Sequence, residues 1–139
     1  MYIIEKQQLR YDNILSYRTR VEESALLRLL SHISTALDAL ELEQRGGIVF
    51  TIDEKFKTPH TTILGVELLI PVDRKFESSS HYVYKSCFRL ENAVMSKFNG
   101  NICGLDVFAA ELCSYVGSSD FKPITDVYYL VRSISDDDC

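Results

Sequence analysis

One carboxylate in this sequence lies in unusual surroundings. Glu67 falls inside residues 61–72, where side chains alternate with the period of a β-strand. Its neighbours on the same side of that strand include Ile63 and Leu69, which are apolar. A carboxylate in such a place can line a binding pocket or act as a general base. The alternative is a solvent-facing glutamate on a half-exposed strand, because antiparallel sheets often carry some apolar residues on their outer face.

Tyrosines are the second group that could do chemistry. The chain holds 8 tyrosines, 7 phenylalanines and no tryptophan. Aromatic side chains of a small domain usually belong to its core, but they can also form the walls of a ligand pocket. Tyr128 stands out because residues 126–133 can be laid on residues 65–72, and this alignment makes it the counterpart of Glu67. The predicted ligand-binding residues are Glu67, Tyr128, Tyr17, Tyr82 and Tyr84.

Other catalytic and metal-binding signals are weak. The three histidines are far apart and form no HxxxH spacing, so the sequence predicts no metal site and no cofactor. The four cysteines form no CxxC pair, and we expect them to be small buried hydrophobic residues, with Cys139 a terminal thiol. Since no GxSxG, P-loop or GxGxxG motif occurs either, no catalytic residue is assigned and a non-enzymatic role is favoured.

The first half of the chain reads as strand, helix and two strands. Residues 9–21 alternate, which predicts a strand, and a helical stripe follows from Leu26 to Leu40. Gly46-Gly47 is expected to end that helix. Residues 48–52 predict a strand, residues 53–58 a charged loop, and residues 61–72 a further strand.

The second half repeats this plan after a serine-rich link at residues 78–80. Residues 82–90 predict a strand, 92–98 its hairpin partner, 102–116 a helix and 127–134 a last strand, followed by an acidic tail at 135–139. We therefore predict one α+β domain with two pseudo-symmetric β-α-β-β halves, about 7–73 and 80–134. They would form one mainly antiparallel sheet with two helices packed on one face.

Composition excludes some classes of function. The formal net charge is −5, which argues against direct nucleic-acid binding, because such proteins need clustered positive charge. The start of the sequence lacks the apolar run of a signal peptide, and no stretch is long enough to span a membrane. These features predict a cytoplasmic protein without membrane contact.

The order of short motifs resembles the GyrI-like, or effector-binding, domain. The motifs are residues 47–53 (GIVFTID), residues 66–72 (VELLIPV) and residues 97–100 (KFNG), and the resemblance covers about residues 7–134. It implies a sheet with helices on one side and a small-molecule groove on the other. Pockets of this family have aromatic walls around a buried acid. A buried carboxylate without a partner is costly, so it selects a cation, and aromatic faces add cation–π attraction for lipophilic cations.

The chain also departs from this family. It lacks tryptophan, and Tyr128 lies where the key acid of drug-sensing members is expected, so Glu67 either replaces that acid or has a different role. The domain fills the sequence without a DNA-binding segment. The resemblance thus implies a small-molecule sensing or sequestering module centred on Glu67.

Two alternatives remain open at this stage. One is an accessory protein of a Gram-positive bacterium that uses the same fold to dock a protein partner or to form a homodimer. The other is a small hydrolase with Glu67 as general base and Tyr128 as proton donor. The hydrolase requires a raised pKa for Glu67.

Overall fold

The main element of the fold is an antiparallel sheet, described here in a computed structural model that covers residues 3–96, 105–117 and 127–131. Five strands are described in it: β1 (Ile3–Glu22), β2 (Ile48–Lys57), β3 (Thr62–Pro71), β4 (Val83–Ser96) and β5 (Tyr129–Val131). A 3-10 turn (Glu23–Ala25) leads into α1 (Leu26–Ser31) and α2 (Ile33–Ala39), and α3 (Leu105–Gly117) follows β4. The predicted α+β class is confirmed, whereas the internal pseudo-symmetry and the division into halves stay predictions.

The strand order is β4-β1-β3-β2-β5, and every described pairing is antiparallel. The long strand β1 therefore lies between β3 and β4. Arg18 on β1 is the direct partner of Glu67 on β3, and Thr51 on β2 is its partner on the other side. This register makes Glu67 a residue of the middle of the sheet.

The helix-covered face of the sheet carries the larger core. Leu26 and Leu30 of α1 and Ile33 and Leu37 of α2 are its helical members, and they share one side because they recur at helical spacing. They pack on the aliphatic side chains that β3 presents to that face. These are Leu64, Val66, Leu68 and Ile70, as the alternation predicted.

The long strand β1 changes its buried side at Asn13. The prediction placed Leu9, Tyr11, Leu15 and Tyr17 on one face. In the structure Leu15 and Tyr17 pack in the helix-side core, whereas Leu9 and Tyr11 pack against a second cluster on the opposite face. The prediction was wrong because Asn13 adopts a φ of 58°, which breaks the strict alternation of an extended strand.

Contacts made by Asn13 fix this irregular backbone. Its carbonyl oxygen accepts a hydrogen bond from the backbone N–H of Val72 at 2.8 Å. Its side-chain oxygen accepts one from the Tyr84 hydroxyl at 2.7 Å. Asparagine tolerates the left-handed region better than most residues. The two hydrogen bonds join β1 to Val72, which follows β3, on one side and to Tyr84 of β4 on the other.

The predicted first helix ends earlier than expected. The two helices are separated at His32, and the second ends before Glu41, which adopts a φ of 58°. The N–H of Leu42 donates to the carbonyl of Leu37 at 3.0 Å, and Leu42 is itself buried in the core. Gly46-Gly47 therefore does not end the helix, because a hydrophobic contact and a left-handed residue end it earlier.

Two strands are longer than predicted. Residues 53–57 continue β2 rather than forming a loop, because they pair with the beginning of β3. Residues 92–96 continue β4 along β1 rather than returning as a hairpin partner. In both cases the pairing strand supplies hydrogen bonds that the local pattern does not reveal.

The described part of the second half contains α3 and β5. The predicted helix at 102–116 is confirmed from Leu105, and the predicted strand at 127–134 is described only at Tyr129–Val131, which pairs with β2. Residues 127 and 128 are described but do not belong to the strand, whereas residues 102–104, residues 132–134 and the acidic tail lie outside the described residues. Among the described helices, none has the length and hydrophobicity needed to cross a bilayer.

Candidate functional site

Glu67 lies on the sheet face opposite α1 and α2. The register between β1 and β3 is continuous from Ile14 to Glu22, so no bulge changes the direction of the Glu67 side chain. Its neighbours in sequence, Val66 and Leu68, point to the helix side. Glu67 is only 7% exposed, which is unusual for a glutamate outside the helix-covered core.

Three donors converge on one oxygen of this carboxylate. Ser16 Oγ donates to Oε2 at 2.9 Å, Arg18 Nε at 3.2 Å and Lys85 Nζ at 3.2 Å. Ser16 and Arg18 are two residues apart on β1, and β4 brings Lys85 from the other side of β1. Among the described residues no donor contacts Oε1, which leaves this oxygen as an acceptor for water or for a bound molecule.

These contacts keep Glu67 ionised. Burial by itself raises the pKa of Glu67, but the hydrogen bonds from Ser16 and Lys85 and the positive charges of Lys85 and Arg18 outweigh it. The net result is a pKa below the ordinary value of 4.5. A carboxylate that is hydrogen-bonded and charge-paired in this way is a weak base and a strong anchor for cationic side chains.

Arg18 connects Glu67 to a second acid. Its NH1 lies 3.3 Å from Oδ2 of Asp53 on β2, while its Nε holds Glu67. The register of β2 shifts between Ile52 and Glu54, so Asp53 is the extra residue of a bulge. The outcome is a chain of alternating charges that crosses the sheet from Lys85 to Asp53.

Gly65 makes room for that bulge. A Cβ atom at Gly65 would lie 2.9 Å from Asp53 Oδ1 and 2.9 Å from Glu54 Cβ. The absence of a side chain therefore lets both acids lie across β3, where Glu54 reaches Arg20 at 3.1 Å. We conclude that this glycine is needed for packing at the bulge.

Two shallow depressions adjoin this charged network, and Arg18 borders both. The first has a volume of about 280 Å³; its lining residues are Ser16, Arg18, Glu67, Ser80, His81, Val83 and Lys85. The second has a volume of about 230 Å³; its lining residues are Arg18, Thr19, Arg20, Asp53, Glu54, Gly65 and Val66. We call the first the Lys85 depression. It is the one that Glu67 borders, and it is smaller than a typical drug-sized pocket.

Tyr128 lies on the same face of the sheet as Glu67. It packs against a small buried cluster of Ile14, Val49 and Leu69, and its ring meets Phe88 edge-on with centroids 5.0 Å apart. Leu69 is two residues from Glu67 and on the same side of β3. Glu67 therefore lies where an apolar cluster changes into a charged surface.

The other three predicted tyrosines are not gathered around Glu67. Tyr17 and Tyr82 pack against the helix-side core. The Tyr84 ring meets Phe76 edge-on with centroids 5.2 Å apart, and its hydroxyl donates to Asn13. Phe76 belongs to the helix side, so these rings stabilise that core and not the surroundings of Glu67.

Sequence reasoning missed the groups that contact Glu67. Ser16, Arg18 and Lys85 look like ordinary outward residues of two strands, because nothing local reveals that β1 lies between β3 and β4. The available signal was the alternation Ser16-Arg18-Arg20, which places one hydroxyl and two cations on one side of a strand. Only the register shows that they meet an acid.

Metal and thiol chemistry receive no support from the described residues. Within residues 3–96, 105–117 and 127–131, no three histidine, cysteine, aspartate or glutamate side chains form a group that could hold a metal ion. Cys87 and Cys113 are exposed, so the prediction that they are buried is wrong. Cys87 is the cross-strand partner of Asp12, whose side chain is 63% exposed, so it lies on an uncovered part of the sheet. Cys103 and Cys139 lie outside the described residues.

No protein-family model, curated protein or solved structure gives a significant match to this chain. The resemblance to GyrI-like domains therefore stays a prediction from the sequence.

Proposed function

We propose that this protein is a small-molecule binding module whose site is the Lys85 depression on the open face of the sheet. The observation that carries the proposal is the buried carboxylate of Glu67, held by Ser16, Arg18 and Lys85 beneath a concave surface. Buried, fixed polar groups that border a concavity are the usual elements of ligand recognition.

Support comes from how these groups are held. Glu67 is fixed by three donors from two other strands, so its position costs no reorganisation when a ligand arrives. Arg18 and Lys85 keep further N–H groups beyond those that reach Glu67, because a guanidinium has five and an ammonium three. The site therefore presents cationic donors in a fixed arrangement.

The contacts do not favour the cationic ligand that the family resemblance implies. A cation would need a carboxylate without a counter-charge, but Glu67 already has Arg18 and Lys85 within 3.2 Å. Three of the four predicted tyrosines also lie away from it. A cation would thus meet positive charges and few aromatic faces.

Hydrolysis with Glu67 as base is also disfavoured. A general base that works near neutral pH needs a raised pKa, whereas the pKa of Glu67 is lowered. Its proposed proton donor, Tyr128, packs in the apolar cluster with Phe88. Binding without chemistry fits these surroundings better.

The docking alternative has less support. The large apolar side chains exposed in the described residues are Leu40, Phe56, Val83 and Val107, and they lie on or beside four different elements. Single exposed apolar residues are common on proteins without partners. We therefore use docking as the alternative outcome of the test.

The test is an amide-shift titration of the ¹⁵N-labelled protein with mixtures of small acids, amines and neutral amides. We expect saturating shifts at Ser16, Glu67 and Lys85 with at least one class. Val83→Trp should remove them by filling the depression, since Val83 lines it and is partly exposed. Ser86→Trp is the matched control, because Ser86 is exposed on the same strand and lines neither depression.

Two outcomes would overturn the proposal. One is the absence of saturating shifts on this face with every class of compound at about 10 mM, a concentration at which even very weak binding is visible. The other is binding that persists unchanged in Val83→Trp. The first result would favour a protein partner, and the second would place small-molecule binding at another part of the surface.

A further inference from the structure

We infer that the ligand of the Lys85 depression is a small monovalent organic acid whose carboxylate meets Lys85 and Arg18 and whose short apolar part lies on Val83. This inference rests on the proposed binding function and adds the chemical class of the ligand. It follows from how charge and apolar surface are distributed in the depression.

Charge gives the sign of the ligand. Two permanent cations, Lys85 and Arg18, line the Lys85 depression, against one carboxylate, Glu67. The next acid, Asp53, lines the neighbouring depression and contacts the far side of the Arg18 guanidinium. The chain of alternating charges thus ends in a cation on the Lys85 side, and an anion is attracted there.

The number of cations sets the charge of the ligand. Asp53 meets Arg18 from the neighbouring depression, so only Glu67 faces the two cations within the Lys85 depression, which itself has one more cation than acid. A monovalent carboxylate balances the extra cation, whereas a phosphate dianion would leave an excess negative charge beside buried Glu67. Lysine and arginine both bind carboxylates through charge-assisted hydrogen bonds.

The apolar part of the depression sets the shape of the ligand. Val83 is the direct cross-strand partner of Ser16, so its side chain stands beside the groups that hold Glu67. It is 49% exposed, and among the described residues it is the only aliphatic one that lines the Lys85 depression. A volume of about 280 Å³ accommodates an acid of a few carbons rather than a drug-sized ligand.

The experiment compares four probes of matched size or charge on the ¹⁵N-labelled protein. Hexanoate, hexylammonium and hexanamide share an alkyl chain and differ in charge, and acetate lacks the chain. We expect hexanoate to bind at Ser16, Glu67 and Lys85 more tightly than the other three. Inorganic phosphate is a fifth probe, and it should bind more weakly than hexanoate.

Variants identify the groups that recognise each part. Lys85→Gln should raise the Kd of hexanoate by about fivefold or more, because it removes one charge-assisted hydrogen bond at a partly exposed site. Arg89→Gln is the control, because Arg89 is an exposed cation of the same strand that pairs with Glu91. Val83→Ser should raise the Kd of hexanoate and leave the Kd of acetate unchanged, because acetate has no alkyl chain to contact Val83.

Failures of the inference and of the proposed function look different. Tighter binding of hexylammonium, hexanamide or phosphate at this site would overturn the inference and leave a binding module in place. If Arg89→Gln and Lys85→Gln raise the Kd of hexanoate equally, the role assigned to Lys85 is wrong. If none of the five probes and none of the mixtures above binds this face, both the function and the inference fail.

Discussion

The two faces of this sheet differ in how they bury the same strand. On the helix side, β3 presents aliphatic residues that α1 and α2 cover. On the open side it presents Gly65, Glu67 and Leu69, yet every residue from Leu64 to Val72 is buried. Glu67 is therefore covered by the side chains of neighbouring strands, whereas Val66 and Leu68 are covered by helices.

This difference separates the face that stabilises the fold from the face proposed to bind a ligand. The helix side depends on tight packing of apolar atoms, and any change of volume there costs free energy. The open side depends on a carboxylate and two long cationic side chains whose outer parts remain in water. Changes of side chains on the open side should therefore affect the fold less than changes on the helix side.

The largest expected effect is on the helix side. Leu68→Ala removes a side chain with no exposed surface and should lower the free energy of unfolding by about 2–5 kcal/mol. Urea unfolding at pH 7 measures the loss. Leu40→Ala, at a partly exposed site, is the control and should cost much less. Equal costs would mean that the helix-side core is not packed as described.

A smaller effect is expected on the open side. Glu67→Gln keeps the shape of the side chain but removes the negative charge that Arg18 and Lys85 share. It should lower the free energy of unfolding by about 1–3 kcal/mol. The control is Glu91→Gln, which breaks an exposed ion pair on β4 and should lower the free energy of unfolding by less than about 0.5 kcal/mol. If both variants unfold alike, Glu67 does not anchor the network.

The effect of Glu67 should also depend on pH. Its folded-state pKa is lowered below 4.5, so the stabilisation is fully present above pH 4.5 and is lost as the pH falls through the folded-state pKa. We expect the difference in unfolding free energy between parent and Glu67→Gln to shrink from pH 6.5 to pH 3.5. Asp73 also has a lowered pKa, but it is present in both proteins and cancels in the difference. A constant or widening difference would contradict the network.

The smallest effect is expected at the solvent-exposed end of the charged face. Arg20 pairs with Glu54 at 3.1 Å and lies over the Phe56 ring at 5.2 Å, but both members of the ion pair are well exposed. Arg20→Gln should therefore change the unfolding free energy by less than about 1 kcal/mol. A larger loss in urea unfolding would show that exposed pairs on this face contribute more than surface pairs usually do.

Local patterns predicted one face of this molecule well and the other poorly. The aliphatic parity of residues 64–72 and the helical stripe from Leu26 were enough to place the helix-side core, because burial against a helix leaves a clear period. The same parity correctly placed Glu67 on the opposite face. It could not supply the partners of Glu67, since Ser16 is 51 positions away in sequence and Lys85 is 18.

Two further errors arose where one residue interrupted a regular pattern. Asn13 changes the buried side of β1, and Glu41 ends a helix that glycine was expected to end. Both are non-glycine residues in the left-handed region. Val72 and Tyr84 donate to Asn13, and Arg74 donates to the carbonyl of Glu41, so the contacts that hold them are distant in sequence and composition alone gives no signal. Tyr17 lies away from Glu67 because it pairs with Leu68 of β3, a residue of the helix-side core.

The pairing of β1 with β4 has a consequence for how the chain folds. Ile3 pairs with Ser96, and Leu15 pairs with Tyr84. β1 therefore cannot pair on this side until β4 has been synthesised. Contacts this distant close large loops and slow the folding reaction. At about 5–20 residues per second, a ribosome needs several seconds to make the intervening chain. During that interval one edge of β1 has no partner, and the nascent chain is most open to intermolecular strand pairing and to chaperones.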